Sequence, residues 1–147
     1  MRGLKNKIAA ITGAGSGIGR AAALRLGEEG CRVAVLDRDA PAAEATAAAI
    51  RAAGGDAIAV TVDVTKEPEV EAAFAAVIDW SGRLDVLVSN AGVFYPTRDG
   101  KVADVPLSIW EEIVGANLTG MFLSCKHGIA AIRSTAGKGA VVLTGSP

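Results

Sequence analysis

Charge of one sign, aromatic residues and long apolar runs are all scarce in this chain, and each shortage removes a class of function. Fifteen Lys and Arg stand against sixteen Asp and Glu, a formal net charge of −1, and aromatics make up 4% of residues. With no basic block and few rings to stack on bases, nucleic acid is excluded as the main partner. No apolar stretch nears the ~20 residues of a membrane span, so no membrane partner is expected. Arg2, Lys5 and Lys7 resemble the start of a secretory leader, but the apolar run behind them, Ile8–Ile11, is too short for one. There are two cysteines, Cys31 and Cys125, in different expected elements. They read as small buried hydrophobes of a cytosolic protein rather than as a disulfide. No residue set reads as a metal site. The one histidine, His127, stands beside Lys126 and reads as solvated or as a subunit contact. The expectation is a soluble, cytoplasmic protein.

What is present is a globular pattern. Half of the 147 residues are apolar and 21% are charged, enough for one domain with a real core. Short apolar runs alternate with helical patterns. Ile8–Ile11 precedes a helix from about Gly17 to Glu29, with Ile18, Ala22 and Leu26 on one face. Val33–Leu36 precedes a helix from Pro41 to Ala53, and Ala57–Val62 precedes one from Glu67 to Ser81 whose buried side carries Val70, Phe74, Val77 and Ile78. Leu84–Val88 is followed by a loop from Val93 to Pro106. A long helix then runs for six turns through Trp110, Ile113, Val114, Asn117, Leu118, Met121, Phe122, Cys125, Ile129 and Ile132. Ser108 and Glu111 form its expected capping box, and Ala140–Thr144 is a fifth strand. Strand–helix four times, then a strand, predicts an α/β fold: a doubly wound parallel sheet of Rossmann type. Near-continuous apolar strands fit a sheet covered on both faces.

In such a sheet ligands bind beyond the carboxyl ends of the strands. There the sequence places Thr12-Gly13-Ala14-Gly15-Ser16-Gly17-Ile18-Gly19, then Asp37, Asp63, Ser89-Asn90-Ala91-Gly92 and Thr144-Gly145-Ser146. Any one of these is ordinary turn chemistry; five at one edge make a binding crevice. Glycines let the backbone approach a ligand closely, and a helix starting near Gly17 aims its free N–H groups at an anion such as a pyrophosphate. No lysine follows the last glycine, so this is not a nucleoside-triphosphate loop. Asp37 stands where a carboxylate accepts hydrogen bonds from an adenosine ribose. Its charge disfavours a 2′-phosphate, which Arg38 partly offsets, so NAD is expected over NADP.

With these residues in place, the sequence resembles the short-chain dehydrogenase/reductase family. Thr12-Gly13-x-x-x-Gly17-Ile18-Gly19 matches that family's glycine loop, Asp63-Val64 the pair that holds the adenine ring, and Asn90-Ala91-Gly92 the motif lining the cofactor site. The resemblance implies that Thr12, Gly13, Ser16, Gly17, Ile18, Gly19, Asp37, Arg38, Asp63, Val64, Asn90, Ala91 and Gly92 bind cofactor. Asn117 interrupts an apolar helical stripe and is expected to be buried, where an amide needs partners. A structural asparagine bonded to nearby backbone satisfies that. The resemblance implies a catalytic asparagine holding a proton-relay water. By the same resemblance Ser146 is the catalytic serine.

The resemblance breaks off at the family's tyrosine acid/base, with its lysine four residues on, which belongs after that serine. The sole tyrosine here is Tyr95, with Asp99 four residues later. Two readings follow. In one, residues 1–147 are the dinucleotide-binding domain of an oxidoreductase that passes hydride between NAD(H) and an alcohol or ketone. That domain is truncated after its fifth strand, and the chain alone is inactive. In the other, they are a non-catalytic nucleotide-binding or subunit-interaction module. The complete protein is expected to be a homodimer or homotetramer, and its substrate is left open.

Overall fold

The computed structural model describes residues 3–96, 98 and 100–145. Five strands, β1 (Ile8–Thr12), β2 (Arg32–Asp37), β3 (Asp56–Thr61), β4 (Val86–Ser89) and β5 (Ala140–Leu143), form one sheet in the order β3-β2-β1-β4-β5. Every pairing is parallel, with Ile11 opposite Val35 on one side and Val88 on the other. Between the strands run α1 (Gly17–Glu28), α2 (Ala40–Ala52), α3 (Glu67–Ser81), α4 (Leu107–Val114) and α5 (Gly120–Thr135).

The apolar runs of β1 and β2 are split by the pleat between two cores. Ile8, Ala10, Ala34 and Leu36 join Val70, Phe74 and Val77 of α3 and Leu123 and Ile132 of α5. Ala9, Ile11, Val33 and Val35 join Ala23 of α1 and Ala43, Ala47 and Ile50 of α2. The sheet is thus covered on both faces, as continuous apolar strands require. Each fully buried Leu, Ile or Val contributes on the order of 1.5–3 kcal/mol. Helix starts follow local chemistry: the Asp39 carboxylate accepts the Ala42 amide at 3.0 Å with Pro41 in the first turn of α2. Cys31 is buried and Cys125 partly so, and burial pushes both thiols up, with the Asp85 charge adding to the effect at Cys31. Among the described residues no helix is long and apolar enough to cross a membrane.

Four expectations need correction. Ile18 is 70% exposed, because α1 packs on the sheet through Gly19 and Ala23, whose small size lets the helix approach closely. Ile78 is only partly buried on α3. The Ser108 capping box is absent: α4 starts from Pro106, with no side-chain cap. The long helix is not uniform either. A π turn, Gly115–Thr119, separates α4 from α5, and the Gly120 amide bonds to the Gly115 carbonyl. The wider turn rotates the stripe, so Ile109, Ala116, Leu123 and Ile132 face the core while Trp110, Leu118, Phe122 and Ile129 are exposed.

Candidate functional site

The strand order reverses between β1 and β4, which opens a crevice at the carboxyl ends of the strands. A cavity of about 890 Å³ lies there. The glycine loop lines it through Gly13, Ser16, Gly17 and Ile18, β2 through Asp37 and Arg38, and β3 through Asp63 and Val64. Asn90, Ala91 and Gly92 line it from β4, and Asn117 from the π turn. The other two expected site residues, Thr12 and Gly19, are buried behind this lining.

Thr12 and Asn90 tie the two central strands together. The Thr12 hydroxyl accepts the Asn90 amide at 3.0 Å and the Ala91 amide at 3.1 Å. In return the Asn90 carboxamide donates to the carbonyls of Thr12 and Gly13, both at 3.3 Å. Gly13 takes φ of +65°, and a Cβ there would sit 2.8 Å from the Ala91 Cα. At Gly19 a Cβ would lie 2.1 Å from the Gly13 carbonyl oxygen, so only glycine lets α1 start beneath the loop. The first turn of α1 holds no acidic residue, and its N-cap, Ser16, makes no side-chain cap. The positive end of the helix therefore faces the cavity.

Two acids flank this end. The Asp37 carboxylate accepts the Gly15 amide at 2.8 Å and the Asp39 amide at 3.0 Å. Burial alone would push the Asp63 carboxyl up. Hydrogen bonds from the Thr65 hydroxyl at 2.7 Å and amide at 3.0 Å, with Lys66 at 3.6 Å, outweigh that and hold it below the usual carboxylate range.

Asn117 is exposed rather than buried, since the π turn carries it out of the apolar stripe. Its carboxamide oxygen accepts the Val93 amide at 2.7 Å and its nitrogen donates to the Val93 carbonyl at 2.9 Å. That pair pins the chain just past Gly92, and each end of the carboxamide of this cavity-lining residue has a further hydrogen-bonding valence. Ser146 lies outside the described residues, while Thr144 and Gly145 before it line the cavity. Tyr95 is committed elsewhere: its hydroxyl donates to Glu112. His127 is neither solvated nor free, since its Nε2 sits 3.1 Å from the Glu67 carboxylate, which also accepts from Lys126.

Sequence reasoning passed over Thr65 and Glu112. Thr65 carried a signal, a hydroxyl two residues after Asp63 where an Asx-type turn bonds it. Glu112 carried none.

The sequence model described as short chain dehydrogenase matches residues 7–147. The chain belongs to the short-chain dehydrogenase family. It is 41% identical over 127 residues to a 3-oxoacyl-[acyl-carrier-protein] reductase of Synechocystis, covering 86% of this chain and 50% of that protein. It is 38% identical over 143 residues to 2-(S)-hydroxypropyl-CoM dehydrogenase 3 of Xanthobacter autotrophicus, covering 97% and 54%. The crystal structure of a short-chain type dehydrogenase/reductase from Mycobacterium marinum superposes with a TM-score of 0.92 at 33% identity, over 97% of this chain and 57% of that one. The chain thus spans about half the length of the curated relatives it matches.

Proposed function

We propose that residues 1–147 form the cofactor-binding portion of an oxidoreductase that passes hydride between NAD(H) and an alcohol or ketone. One observation carries this reading: an uncapped helix start, a close-packed glycine loop and the Asp37 carboxylate converge on one cavity. The residues present fit a dinucleotide. Gly13 and Gly19 keep the loop backbone close, the α1 N–H groups suit a pyrophosphate, and Asp37 suits a ribose diol. Ser16, Gly17 and Ile18 line the diphosphate end, with Thr12 behind them, and Asp63 and Val64 line the adenine end. NAD is favoured over NADP by the Asp37 charge, with Arg38 as the opposing group. When bound, the cofactor supplies hydride chemistry. At its other end Asn90, Ala91 and Gly92 form the floor, and Asn117 holds a water with the free valences of its carboxamide. Ser146 then orients the carbonyl oxygen of the substrate.

The acyl-carrier and coenzyme-M substrates in the names of the relatives suggest carbonyls or secondary alcohols on a thiol-bearing carrier. The protein of which these residues are part is a cytoplasmic homodimer or homotetramer on this reading. The test is nicotinamide absorbance of the full gene product with a panel of alcohols and ketones, beside calorimetry with NAD+ and NADP+. Turnover with tighter NAD+ binding is expected. A folded product that binds neither nucleotide overturns the proposal.

A further inference from the structure

The turn after β3 is held by a carboxylate that lies outside the cavity lining. Glu69 stands in the first turn of α3, and its Oε2 accepts the Asp63 amide at 2.9 Å. A glutamate at this place in a helix ordinarily offsets the positive end of the helix or bonds back to the N-cap amide. Here the N-cap is Lys66, and its amide is already given to the Asp63 carbonyl at 3.0 Å. The Glu69 side chain reaches past it, to the residue proposed to line the adenine end.

Asp63 is thereby fixed at nearly every polar atom. Its amide goes to Glu69 and its carbonyl to Lys66, while its Oδ1 accepts the Thr65 amide at 3.0 Å and hydroxyl at 2.7 Å. Its Oδ2 is left with Lys66, whose ammonium is 3.6 Å away on a side chain 61% exposed, a contact that counts for little. Val64, the next residue, is buried with a methyl against Gly120, and its amide has no hydrogen-bond partner among the described residues. Asp63 and Val64 both line the cavity. The turn thus offers an acceptor next to a donor. Adenine presents the complement, an amino donor beside a ring-nitrogen acceptor. Hypoxanthine reverses both, and would set acceptor against acceptor and donor against donor.

We infer that Glu69 is a positioning residue for base selection: by holding the Asp63 amide it keeps that acceptor and the Val64 donor in the spacing that reads adenine. The inference rests on the cofactor reading above.

The probes are 5′-AMP and 5′-IMP, which differ only at this edge of the base. Calorimetry on the full gene product measures both with wild type, Glu69→Ala, Glu69→Asp and Glu69→Gln. Wild type should prefer 5′-AMP. Glu69→Ala should narrow that preference by roughly fivefold, chiefly by weakening 5′-AMP. Glu69→Asp keeps the charge but is too short to reach the amide. It should act like Glu69→Ala, and serves in its place if that variant does not fold. Glu69→Gln keeps an oxygen at the same reach and should retain most of the preference. In an Asp63→Ala background, Glu69→Ala should change the preference little, because it acts through Asp63. An unchanged preference in either Glu69→Ala or Glu69→Asp overturns the inference. So does a loss in Glu69→Gln equal to that in Glu69→Ala, since the effect would then follow charge, and so does an equal shift with and without Asp63. A wild type that binds both nucleotides equally takes Asp63 off the base and overturns the inference while the cofactor reading stands. Absence of 5′-AMP binding by folded wild type instead removes the cofactor reading, and the inference with it.

Discussion

Asp37 and Gly15 are joined directly: the carboxylate that ends β2 accepts the amide in the middle of the glycine loop at 2.8 Å. The loop is thus held open by the same group proposed to hold the ribose. A Cβ at Gly15 would approach that oxygen to 2.9 Å, so loop and acid are matched in shape as well as in hydrogen bonding.

Replacing Asp37 should therefore have two effects. Asp37→Asn removes a charge-assisted bond, typically about 1.5–3 kcal/mol, so NAD+ affinity in the full gene product should fall by roughly tenfold or more by calorimetry. It also removes the charge opposing a 2′-phosphate, so NADP+ should lose much less, or gain. Equal losses for both cofactors would take Asp37 off the ribose.

The glycines separate packing from conformation. At Gly19 a Cβ would fall 2.1 Å from a backbone oxygen and 2.5 Å from the Asn90 carboxamide, whereas at Gly17, with φ of +50°, it would meet nothing within 4 Å. Gly19→Ala must shift the loop and should destabilise by about 1–3 kcal/mol, with loss of nucleotide binding. Gly17→Ala meets only backbone strain of about 1–2 kcal/mol. Urea denaturation and nucleotide titration of both variants would test this, and the prediction fails if Gly17→Ala is the more damaging to binding.

The alternation of apolar runs with helical patterns made the sheet and its binding edge legible, because parallel strands buried on both faces leave a local signature. Thr12, Asp37, Asp63 and Asn90 were legible for the same reason: each stands at the carboxyl end of a strand or just past it. The π turn was not. The π turn at Gly115–Thr119 leads into Gly120, which packs under Val64 where a Cβ would meet a methyl at 2.6 Å, a contact between residues distant in sequence that no local pattern displays. Asn117 was consequently expected inside and lies outside. Glu112 and Tyr95 met through a loop whose path no local pattern encodes.

Acid sensitivity should concentrate at Asp85, at the opposite edge of the sheet from the cavity. Its buried carboxylate accepts from Lys7 at 2.8 Å, from Arg83 at 3.0 Å and from the Ile8 amide at 3.1 Å. Burial pushes this carboxyl up, but those partners outweigh it and hold it below its usual range. Because the folded value is depressed, the contribution to stability is present above the unfolded value of about 3.9. It is lost as pH falls from there through the folded value. Asp85→Asn should lower stability by roughly 1.5–3 kcal/mol at neutral pH and flatten the loss below about pH 4. Urea midpoints at both pH values measure it, and parallel curves for wild type and variant would contradict it.

Assembly is the next consequence. Trp110, Leu118, Phe122 and Ile129 are exposed along α4 and α5, and Val141, Val142 and Leu143 along β5. An exposed apolar edge strand is a template for association. The full gene product should run as a dimer or tetramer in light scattering, and Phe122→Glu should shift it toward monomer. The 147-residue chain alone should self-associate, and a monodisperse monomer of it would count against this picture.

Catalysis should depend on residues that β5 delivers to the cavity. Ser89 pairs with Leu143, and the Thr144 amide bonds to the Ser89 carbonyl at 3.0 Å, so the chain leaves β5 directly into the cavity lining at Thr144 and Gly145. Ser146 is the next residue. Tyr95, engaged with Glu112, is not placed to act as the acid or base, and the resemblance puts that group after the serine. The 147-residue chain should therefore bind nucleotide weakly through its adenosine end and turn over no ketone. On the reading proposed above, the group giving acid–base help worth about 10²–10⁴ in rate and part of the positioning of the reacting carbons, often the larger effect, come from outside these residues. In the full gene product Ser146→Ala should cut kcat severely while NAD+ affinity stays nearly constant, since hydroxyl loss removes an interaction with the reacting oxygen alone. Asn117→Ala should instead lower both kcat and thermal stability, because its carboxamide also holds Val93. Steady-state kinetics beside calorimetry and melting separates the two. A fully active Ser146→Ala enzyme removes that serine from the catalytic set, and turnover by the 147-residue chain at the rate of the full product removes the need for any residue beyond it.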